Sequence, residues 1–219
     1  MIRVVTFDAA GTLIRLLHPP GTVYAETARL FGYQLDPDRV QNAFRLTWKD
    51  FAPPADSADP RPEDDCDWWR QLVARTMKAA GYQILPFDDY FATVYQKFAS
   101  PGVWELFPDV LPVLAELHRL KIRLGIISNF DSRLYDILSH LSVRDAFEHL
   151  IISSEIGTRK PAAGIFWTAV ERFKVDFHEI LHVGDEMEAD FSGARAAGFE
   201  ALLVDHQVSK LSGILSRLS

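Results

Sequence analysis

The order of apolar and polar residues divides the chain into a short apolar strand, a helical segment and a region in which the two patterns alternate. Val4, Val5 and Phe7 form a β-prone run of the kind that is buried in a parallel sheet. Between residues 15 and 100, apolar residues recur at helical spacing and no second strand is predicted. From Leu106 onward, helical patterns alternate with short apolar runs.

The segment between residues 15 and 100 predicts four helices. Asp36-Pro37 marks the start of the second helix, since proline at the first helical position lacks an N–H that would have no partner there. The apolar stripe of this helix comprises Val40, Phe44, Trp48 and Phe51. The other three helices are predicted over residues 23–31, 63–80 and 87–98. We interpret the Trp and Phe side chains of these helices as a hydrophobic core.

The region after Leu106 predicts a parallel sheet. Its strands are predicted over residues 124–127, 150–152, 180–183 and 201–204, and its helices over residues 109–120, 132–141, 163–173 and 189–197. Because such alternation implies parallel strands with helices on both faces, the predicted fold class is α/β, a Rossmann-like doubly wound sheet. We expect residues 1–15 and 101–219 to form this α/β core domain and residues 16–100 to form an inserted α-helical domain.

Length, charge and cysteine content restrict the number of domains, the kind of partner and the cellular compartment. At 219 residues and 24.8 kDa, the chain can form one large domain or two unequal ones. A net charge of −7 argues against nucleic acid or an anionic membrane as a partner. The single Cys66 rules out an internal disulfide, residues 1–7 are too short for a signal peptide, and no apolar run approaches a membrane span. We therefore expect a cytoplasmic protein whose partner is a small molecule.

Polar side chains follow three of the predicted strands at the point where each strand ends. Asp8 follows the first strand, Ser128 and Asn129 end the second, and Asp185 follows the fourth. The carboxyl ends of parallel strands share one edge of the sheet, which is where open α/β sheets bind their ligands. Behind Asp8 comes a tight Gly-Thr turn whose backbone N–H groups can surround an anion.

Each of these residues also has a simpler interpretation. Asp8 can begin an Asx-type turn, Ser128 can cap the next helix, and Asp185 can be a turn residue after glycine. Lys160, in the loop before the helix predicted at residues 163–173, can be a solvated charge. Together they place two carboxylates, a hydroxyl and a lysine in one crevice. That set suits a metal-bound phosphoryl group, because Mg²⁺ prefers carboxylate oxygens while the hydroxyl and the ammonium can bind phosphate oxygens.

Four short motifs occur in a fixed order along the chain. They are Phe7-Asp-Ala-Ala-Gly-Thr-Leu13, Ile126-Ile-Ser-Asn129, Lys160-Pro161 and Gly184-Asp-Glu-Met-Glu-Ala-Asp190. Together they resemble the four motifs of the haloacid dehalogenase superfamily of hydrolases with an α-helical cap, and the resemblance runs nearly end to end. Further details resemble one subgroup of that family, namely Ser128-Asn-Phe-Asp131 with Arg133-Leu134 and the Trp68-Trp69 pair. The resemblance implies a phosphatase-type hydrolase with an Mg²⁺ cofactor and a small phosphorylated metabolite as substrate.

The resemblance also implies a role for each motif residue. Asp8 would be the nucleophile that forms an aspartyl-phosphate, and Lys160 would neutralise the nucleophile and the phosphate. The residues implied in phosphate binding are Thr12, Ser128, Asn129 and Lys160. The implied Mg²⁺ ligands are Asp8, the backbone carbonyl of Ala10 and Asp185, supported by Asp190.

One position departs from the family pattern. Phosphatases of the family carry a second aspartate two residues after the nucleophile, which protonates the leaving oxygen and then activates water, and here that position is Ala10. A positioned acid–base group contributes typically ~10²–10⁴-fold to the rate. The absence of this aspartate therefore affects the expected rate of turnover, whereas the protein should still bind metal and phosphate.

Three functions stay open on the sequence alone. The first is a weak or specialised Mg²⁺-dependent phosphatase in which another group supplies the proton, with Glu186 and His18 as candidates. The second is hydrolysis of a carbon–phosphorus or carbon–halogen bond. Phosphonoacetaldehyde hydrolases share the pattern of residues 8–12, but they also need a lysine in the cap domain, for which Lys49 is the candidate. Dehalogenases usually lack the Gly-Asp metal motif that is present in this chain. The third is a non-catalytic binding protein that keeps the fold and the metal.

Overall fold

The computed structural model describes residues 1–57, 59–61, 65–206 and 211–218, so the first residues of the helix predicted over 63–80 lie outside the described part. The chain forms two compact units. The first comprises Met1–Arg15, Asp56–Arg61 and Glu105–Ser219, and the second comprises Leu16–Ala55 and Pro62–Trp104. Residues 56–61 thus group with the first unit, although they lie within the segment that the sequence assigns to the insert.

The described residues contain seven strands: β1 Val4–Phe7, β2 Ile14–Leu16, β3 Trp104–Leu106, β4 Arg123–Ser128, β5 His149–Ile152, β6 Ile180–Gly184 and β7 Glu200–Leu203. Five of them form a parallel sheet in the order β5-β4-β1-β6-β7, and β2 pairs with β3 in a separate two-stranded sheet. All residues of β1 are buried, as expected for the central strand of a sheet covered on both faces. The predicted α/β fold class is confirmed.

The register of the sheet brings three strand ends side by side. Phe7 of β1 aligns with Ile126 of β4 on one side and with Val183 of β6 on the other. The chain adds β4 and β5 on one side of β1 and then returns to add β6 and β7 on the other. Such a reversal leaves a crevice at the carboxyl ends of the strands beside β1. Residues that directly follow these strands therefore meet at one place.

Nine α-helices occur within the described residues: α1 Pro20–Leu30, α2 Pro37–Asp50, α3 Cys66–Ala79, α4 Phe87–Lys97, α5 Val110–Arg119, α6 Arg133–His140, α7 Ser153–Ile156, α8 Ala163–Phe173 and α9 Gly193–Ala196. Helices α5 to α9 belong to the first unit. The buried apolar residues that join α8 and α9 to the sheet include Ile127, Ile151, Phe166, Phe173 and Phe199. Burial of such aromatic and β-branched side chains is the main favourable term for this packing.

The helix predicted over residues 189–197 is interrupted. Its first part, Met187–Ser192, is a π-helix, and only then does α9 begin. The backbone N–H groups of Asp190 and Phe191 both lie close to the carbonyl oxygen of Glu186, at 2.9 and 3.2 Å. The bond from Phe191 spans five residues, which widens the helix by one residue at this point. Periodicity does not predict such a local change.

The second unit is a helical domain formed by α1 to α4. Helix α2 begins as predicted, with Asp36 Oδ1 accepting hydrogen bonds from the backbone N–H groups of Asp38 and Arg39 at 3.0 and 3.3 Å. The core of the unit includes Tyr24, Val40, Val73, Met77, Tyr90 and Phe91. The prediction that the Trp and Phe side chains of these helices form a hydrophobic core is wrong for Trp48. This residue is 50% exposed and lies on the outer side of a cluster of aromatic rings. None of the described helices is long and apolar enough to cross a membrane.

Candidate active site

Asp8 lies at the carboxyl end of the central strand, where a tight turn reverses the chain. The carbonyl oxygen of Ala9 accepts hydrogen bonds from the backbone N–H groups of Leu13 and Ile14, at 2.8 and 2.9 Å. Gly11 makes this turn with a φ of +94°, and a Cβ atom on it would lie 2.3 Å from Asp185 Oδ2. Glycine is therefore required here, both for the backbone conformation and for the close approach of the loop that follows β6.

Lys160 is buried between two carboxylates. Its Nζ atom lies 2.7 Å from Asp8 Oδ1 and 2.5 Å from Asp190 Oδ1, and the residue is 3% exposed. Asn129 holds the backbone of Lys160 on both sides: its Oδ1 accepts from the Lys160 N–H at 2.7 Å, and its Nδ2 donates to the Lys160 carbonyl at 3.0 Å. The side chain of Asn129 is thus engaged in placing Lys160, while the phosphate-binding role implied for it stays a prediction.

Two hydroxyl groups orient the carboxylates of the site. Ser128 Oγ donates to Asp8 Oδ1 at 3.0 Å, so that one oxygen of Asp8 accepts from both Ser128 and Lys160. Thr12 Oγ1 donates to Asp185 Oδ1 at 2.8 Å. The direct contact of Thr12 is therefore with the carboxylate of Asp185, and its implied contact with phosphate is likewise still a prediction.

Asp8, Asp185 and Asp190 together can hold a metal ion. Each offers one carboxylate oxygen, and these oxygens lie within 4.8 Å of one another. Asp190 Oδ2 also accepts from the backbone N–H of Glu186 at 2.9 Å. These three negative charges, against the one positive charge of Lys160, leave a net charge of −2. An all-oxygen donor set of that charge matches a hard divalent cation such as Mg²⁺.

Burial and the contacts between the ionisable groups of the site shift the pKa of each group. Burial raises the pKa of Asp8, and the carboxylates of Asp190 and Asp185 add to this rise against the opposing effect of Lys160. Burial by itself would lower the pKa of Lys160, but Asp8 and Asp190 outweigh it and raise that pKa. The pKa of Asp190 lies below its usual range, because contacts with His182 and Lys160 outweigh its burial. Lys160 is therefore a permanent ammonium that binds the carboxylates on either side.

His182 is a site residue that the sequence analysis did not identify. Its Nε2 atom lies 3.3 Å from Asp190 Oδ1, and its Nδ1 atom lies 3.0 Å from the hydroxyl oxygen of Thr6. Burial lowers the pKa of its imidazole, which favours the neutral form. A histidine inside an otherwise apolar strand, Ile180-Leu-His-Val-Gly184, was the signal that could have indicated it.

Ala10 and Glu186 adjoin this cluster, and two further candidates belong to the second unit. Ala10 is partly exposed in the turn after Asp8 and offers only a methyl group where the resemblance to phosphatases implies a carboxylate. Much of Glu186 is exposed, but the protein desolvates part of its carboxyl group, and this desolvation together with the carboxylates of Asp8 and Asp190 raises its pKa. His18 and Lys49 are exposed residues of the second unit.

Known proteins resemble this chain in sequence and in fold. A family model described as haloacid dehalogenase-like hydrolase matches residues 2–198. Haloacid dehalogenase-like hydrolase domain-containing protein 3 of Mus musculus is 32% identical over 93% of this chain and 82% of that protein, and its Homo sapiens counterpart is 31% identical over the same shares. This confirms the subgroup to which the sequence details pointed.

Solved structures extend the comparison to the fold. L-2-haloacid dehalogenase from Xanthobacter autotrophicus has a TM-score of 0.73 at 21% identity, covering 100% of this chain and 82% of that one. The putative HAD-hydrolase YfnB from Bacillus subtilis, bound to magnesium, has a TM-score of 0.72 at 18% identity, covering 99% and 98%. A HAD phosphatase from Thermococcus onnurineus has a TM-score of 0.66 at 21% identity, covering 95% and 89%. By its motifs, its relatives and its fold, this chain belongs to the haloacid dehalogenase-like hydrolase family.

Proposed function

We propose that the protein is an Mg²⁺-dependent phosphohydrolase that cleaves small phosphorylated metabolites through an aspartyl-phosphate on Asp8. The observation that carries this proposal is the pairing of Asp8 with Ser128 and Lys160 beside a cluster of carboxylates. A nucleophilic carboxylate needs fixed orientation and positive charge close by, because both the nucleophile and a phosphate ester are anionic. The family and its phosphatase members support this type of reaction.

The proposed reaction has two displacements at phosphorus. Asp8 Oδ1 is held by Ser128 and Lys160, and its other oxygen, Oδ2, attacks the phosphorus atom of the ester. The P–O bond to the leaving group breaks, and the leaving oxygen departs with the electron pair. Water then attacks the phosphorus of the aspartyl-phosphate, which releases inorganic phosphate and regenerates the Asp8 carboxylate. Throughout, the ammonium of Lys160 offsets the charge that accumulates on the phosphoryl oxygens.

The residues that would hold Mg²⁺ are Asp8, Asp185 and the backbone carbonyl of Ala10, and Asp190 would support them. The donor chemistry agrees with such an ion, since one oxygen of each of three carboxylates lies within 4.8 Å of the others and the single ammonium of Lys160 offsets only part of their charge. A bound Mg²⁺ supplies the positive charge that lets an anionic substrate approach these carboxylates. Thr12 keeps Asp185 in place for this task through its hydrogen bond.

The methyl group of Ala10 determines the expected substrate preference. Without a general acid at this position, the departing oxygen leaves as an anion, so its basicity controls the rate. Aryl esters such as p-nitrophenyl phosphate leave as stabilised anions, whereas alkyl esters such as sugar phosphates depend on protonation. We therefore expect a strong preference for aryl over alkyl phosphates, and accumulation of the aspartyl-phosphate because no base at residue 10 activates water.

The test compares wild type with Ala10→Asp on both classes of ester, with and without Mg²⁺. The substitution should raise turnover of alkyl esters most, by up to roughly 10²-fold. Equal and rapid wild-type rates on both classes would show that another group already acts as the acid, with Glu186 and His18 as the candidates. Phosphonoacetaldehyde and an L-2-haloacid belong in the same panel, since a dehalogenase shares this fold. Turnover of either one, but of no phosphate ester, would replace the proposal by cleavage of a carbon–phosphorus or carbon–halogen bond.

The setting we propose for this activity is the cytoplasm, with a small molecule rather than a macromolecule as the partner. The net charge of −7 disfavours binding to nucleic acid and to anionic membranes, and the single Cys66 suits a reducing compartment.

A further inference from the structure

Two polar side chains inside the sheet have no part in the reaction described above. Thr6 of β1 and His182 of β6 are buried, at 0% and 1% exposure. They are aligned partners in the β1–β6 register, so their side chains lie on the same face of the sheet. Polar groups at such a depth cost free energy unless they are hydrogen-bonded. The hydrogen bonds of Thr6 and His182 therefore indicate the role of each side chain.

We propose that His182 is a positioning residue for Asp190 and that Thr6 holds it in the required tautomer. His182 Nε2 lies 3.3 Å from Asp190 Oδ1, and a carboxylate can only accept, so Nε2 carries the proton and donates it. Nδ1 of the neutral ring is then an acceptor. It lies 3.0 Å from the hydroxyl oxygen of Thr6, which donates to it. The tautomer thus follows from the chemistry of the two partners.

The hydrogen bond from His182 completes a set of donors around Asp190. Asp190 Oδ1 also accepts from Lys160 Nζ at 2.5 Å, and Oδ2 accepts from the backbone N–H of Glu186 at 2.9 Å. With donors on both oxygens, rotation of the carboxylate would break at least one of these bonds. Lys160 Nζ is shared between Asp190 and Asp8, so the orientation of Asp190 also fixes the ammonium beside the nucleophile. His182 thereby acts on Asp8 through two intermediate side chains.

The packing around the imidazole restricts its movement. The ring of Phe166 meets it edge to face, with ring centroids 5.4 Å apart and an interplanar angle of 82°. Rotation of the imidazole about χ2 would exchange its nitrogen and carbon positions and lose both hydrogen bonds. The ring is therefore held in one orientation by Phe166 and by its polar partners on two sides.

The first test observes the tautomer directly and does not depend on any activity. The ¹⁵N resonances of His182, identified by their loss in His182→Gln, should show a neutral ring protonated at Nε2 near neutral pH. In Thr6→Val, which keeps the shape but removes the donor, the Nδ1 resonance should shift toward that of a nitrogen without a hydrogen bond. A ring protonated at Nδ1, or a cationic ring, would overturn the proposal.

The second test asks whether the donor matters to the reaction, and it rests on the proposed function. With p-nitrophenyl phosphate and Mg²⁺, His182→Phe should lower kcat by roughly 10-fold, the usual size of the effect when a hydrogen bond that supports the residues around a metal site is removed. His182→Gln places an amide N–H close to the position of Nε2, and should recover most of that loss. Equal rates for the Phe and Gln variants would overturn the proposal.

A strand histidine away from the site provides the matched control. His149 of β5 packs edge to face on Phe173, with centroids 4.8 Å apart, much as His182 packs on Phe166. We expect His149→Phe to leave kcat unchanged, and a loss equal to that of His182→Phe would refute a specific role for His182. A wild-type protein that hydrolyses no ester would contradict the proposed function, and the tautomer measurement would then decide on His182 alone.

Discussion

Replacement of Lys160 by methionine should destabilise the protein strongly at neutral pH. The ammonium is 3% exposed and makes hydrogen bonds of 2.7 and 2.5 Å with Asp8 and Asp190. Methionine fills much of the same volume, so the change removes charge rather than packing. Loss of one partner from a buried ion pair costs about 3–5 kcal/mol, because the charge left behind has no compensation. We expect a loss of unfolding free energy of this size.

The loss of unfolding free energy in Lys160→Met should become smaller as the pH is lowered. In the folded protein, burial and the neighbouring carboxylates raise the pKa of Asp8, and the ammonium of Lys160 opposes this rise. Lys160→Met removes the ammonium, so the pKa of Asp8 rises further above the ordinary value of 3.8. The folded state then binds a proton at a pH where the unfolded state does not, so its stability increases as the pH falls through the folded pKa toward 3.8. Urea denaturation followed by circular dichroism, at several pH values from neutral down to about 5, measures this trend.

Lys49→Met is the control for Lys160→Met, because it removes a lysine that is exposed in the last turn of α2. That change should cost about 0.5 kcal/mol, the usual value of a cation near a helix C-terminus. It should also leave any activity intact, because the proposed reaction forms no Schiff base. Equal losses for the two variants, or a Lys160→Met defect that grows as the pH falls, would refute the account of the buried ion pair.

The other predictions concern the remaining carboxylates and one glycine. Asp8→Asn should accept no beryllofluoride adduct and hydrolyse no ester while it stays folded, so a wild-type rate in this variant would place the hydrolysis elsewhere. Mg²⁺ should raise the melting temperature of the wild type by binding to the folded state, and Asp185→Asn should abolish that rise; an unchanged rise would remove this residue from the metal site. Gly184→Ala places a Cβ atom 2.1 Å from Asp190 Cγ and should lower both the melting temperature and the rate, whereas Gly213→Ala, with no atom within 4 Å, should change neither. Equal melting curves for the two glycine variants would contradict the close approach of Asp190.

The sequence predicts the helices and the sheet because their signals are strong and local. The five strands of the sheet are short apolar runs between helices with a clear stripe, and all five appear in the structure. The pair β2 and β3 was not predicted, since each strand has three residues and their pairing depends on segments far apart in the chain. The π-helix was missed for a related reason, because a single shifted hydrogen bond leaves the apolar pattern almost unchanged.

The sequence predicts that several polar residues of the candidate site lie together, but it predicts neither their contacts nor the presence of His182. Strand order and polar strand ends are enough to expect Asp8, Ser128 and Asp185 at one edge of the sheet. Whether a polar group faces a ligand or a neighbour depends on side-chain orientation, which a linear pattern does not contain. Asn129 and Thr12 show this, since their recorded side-chain contacts are with the backbone of Lys160 and with Asp185.

The central position of β1 has a consequence for the order in which the protein can fold. Asp8 and Ser128 meet although they are 120 residues apart, and Thr6 meets its partner His182 across 176 residues. On a ribosome the strand that carries Asp8 emerges long before β4 and β6, its two neighbours in the sheet. The helices of the second unit make mainly local contacts and can form in the meantime, as low contact order favours. A nascent chain therefore exposes the central strand of its sheet for the longest time, and variants that slow the closing of the sheet should aggregate during synthesis before they lose stability as folded proteins.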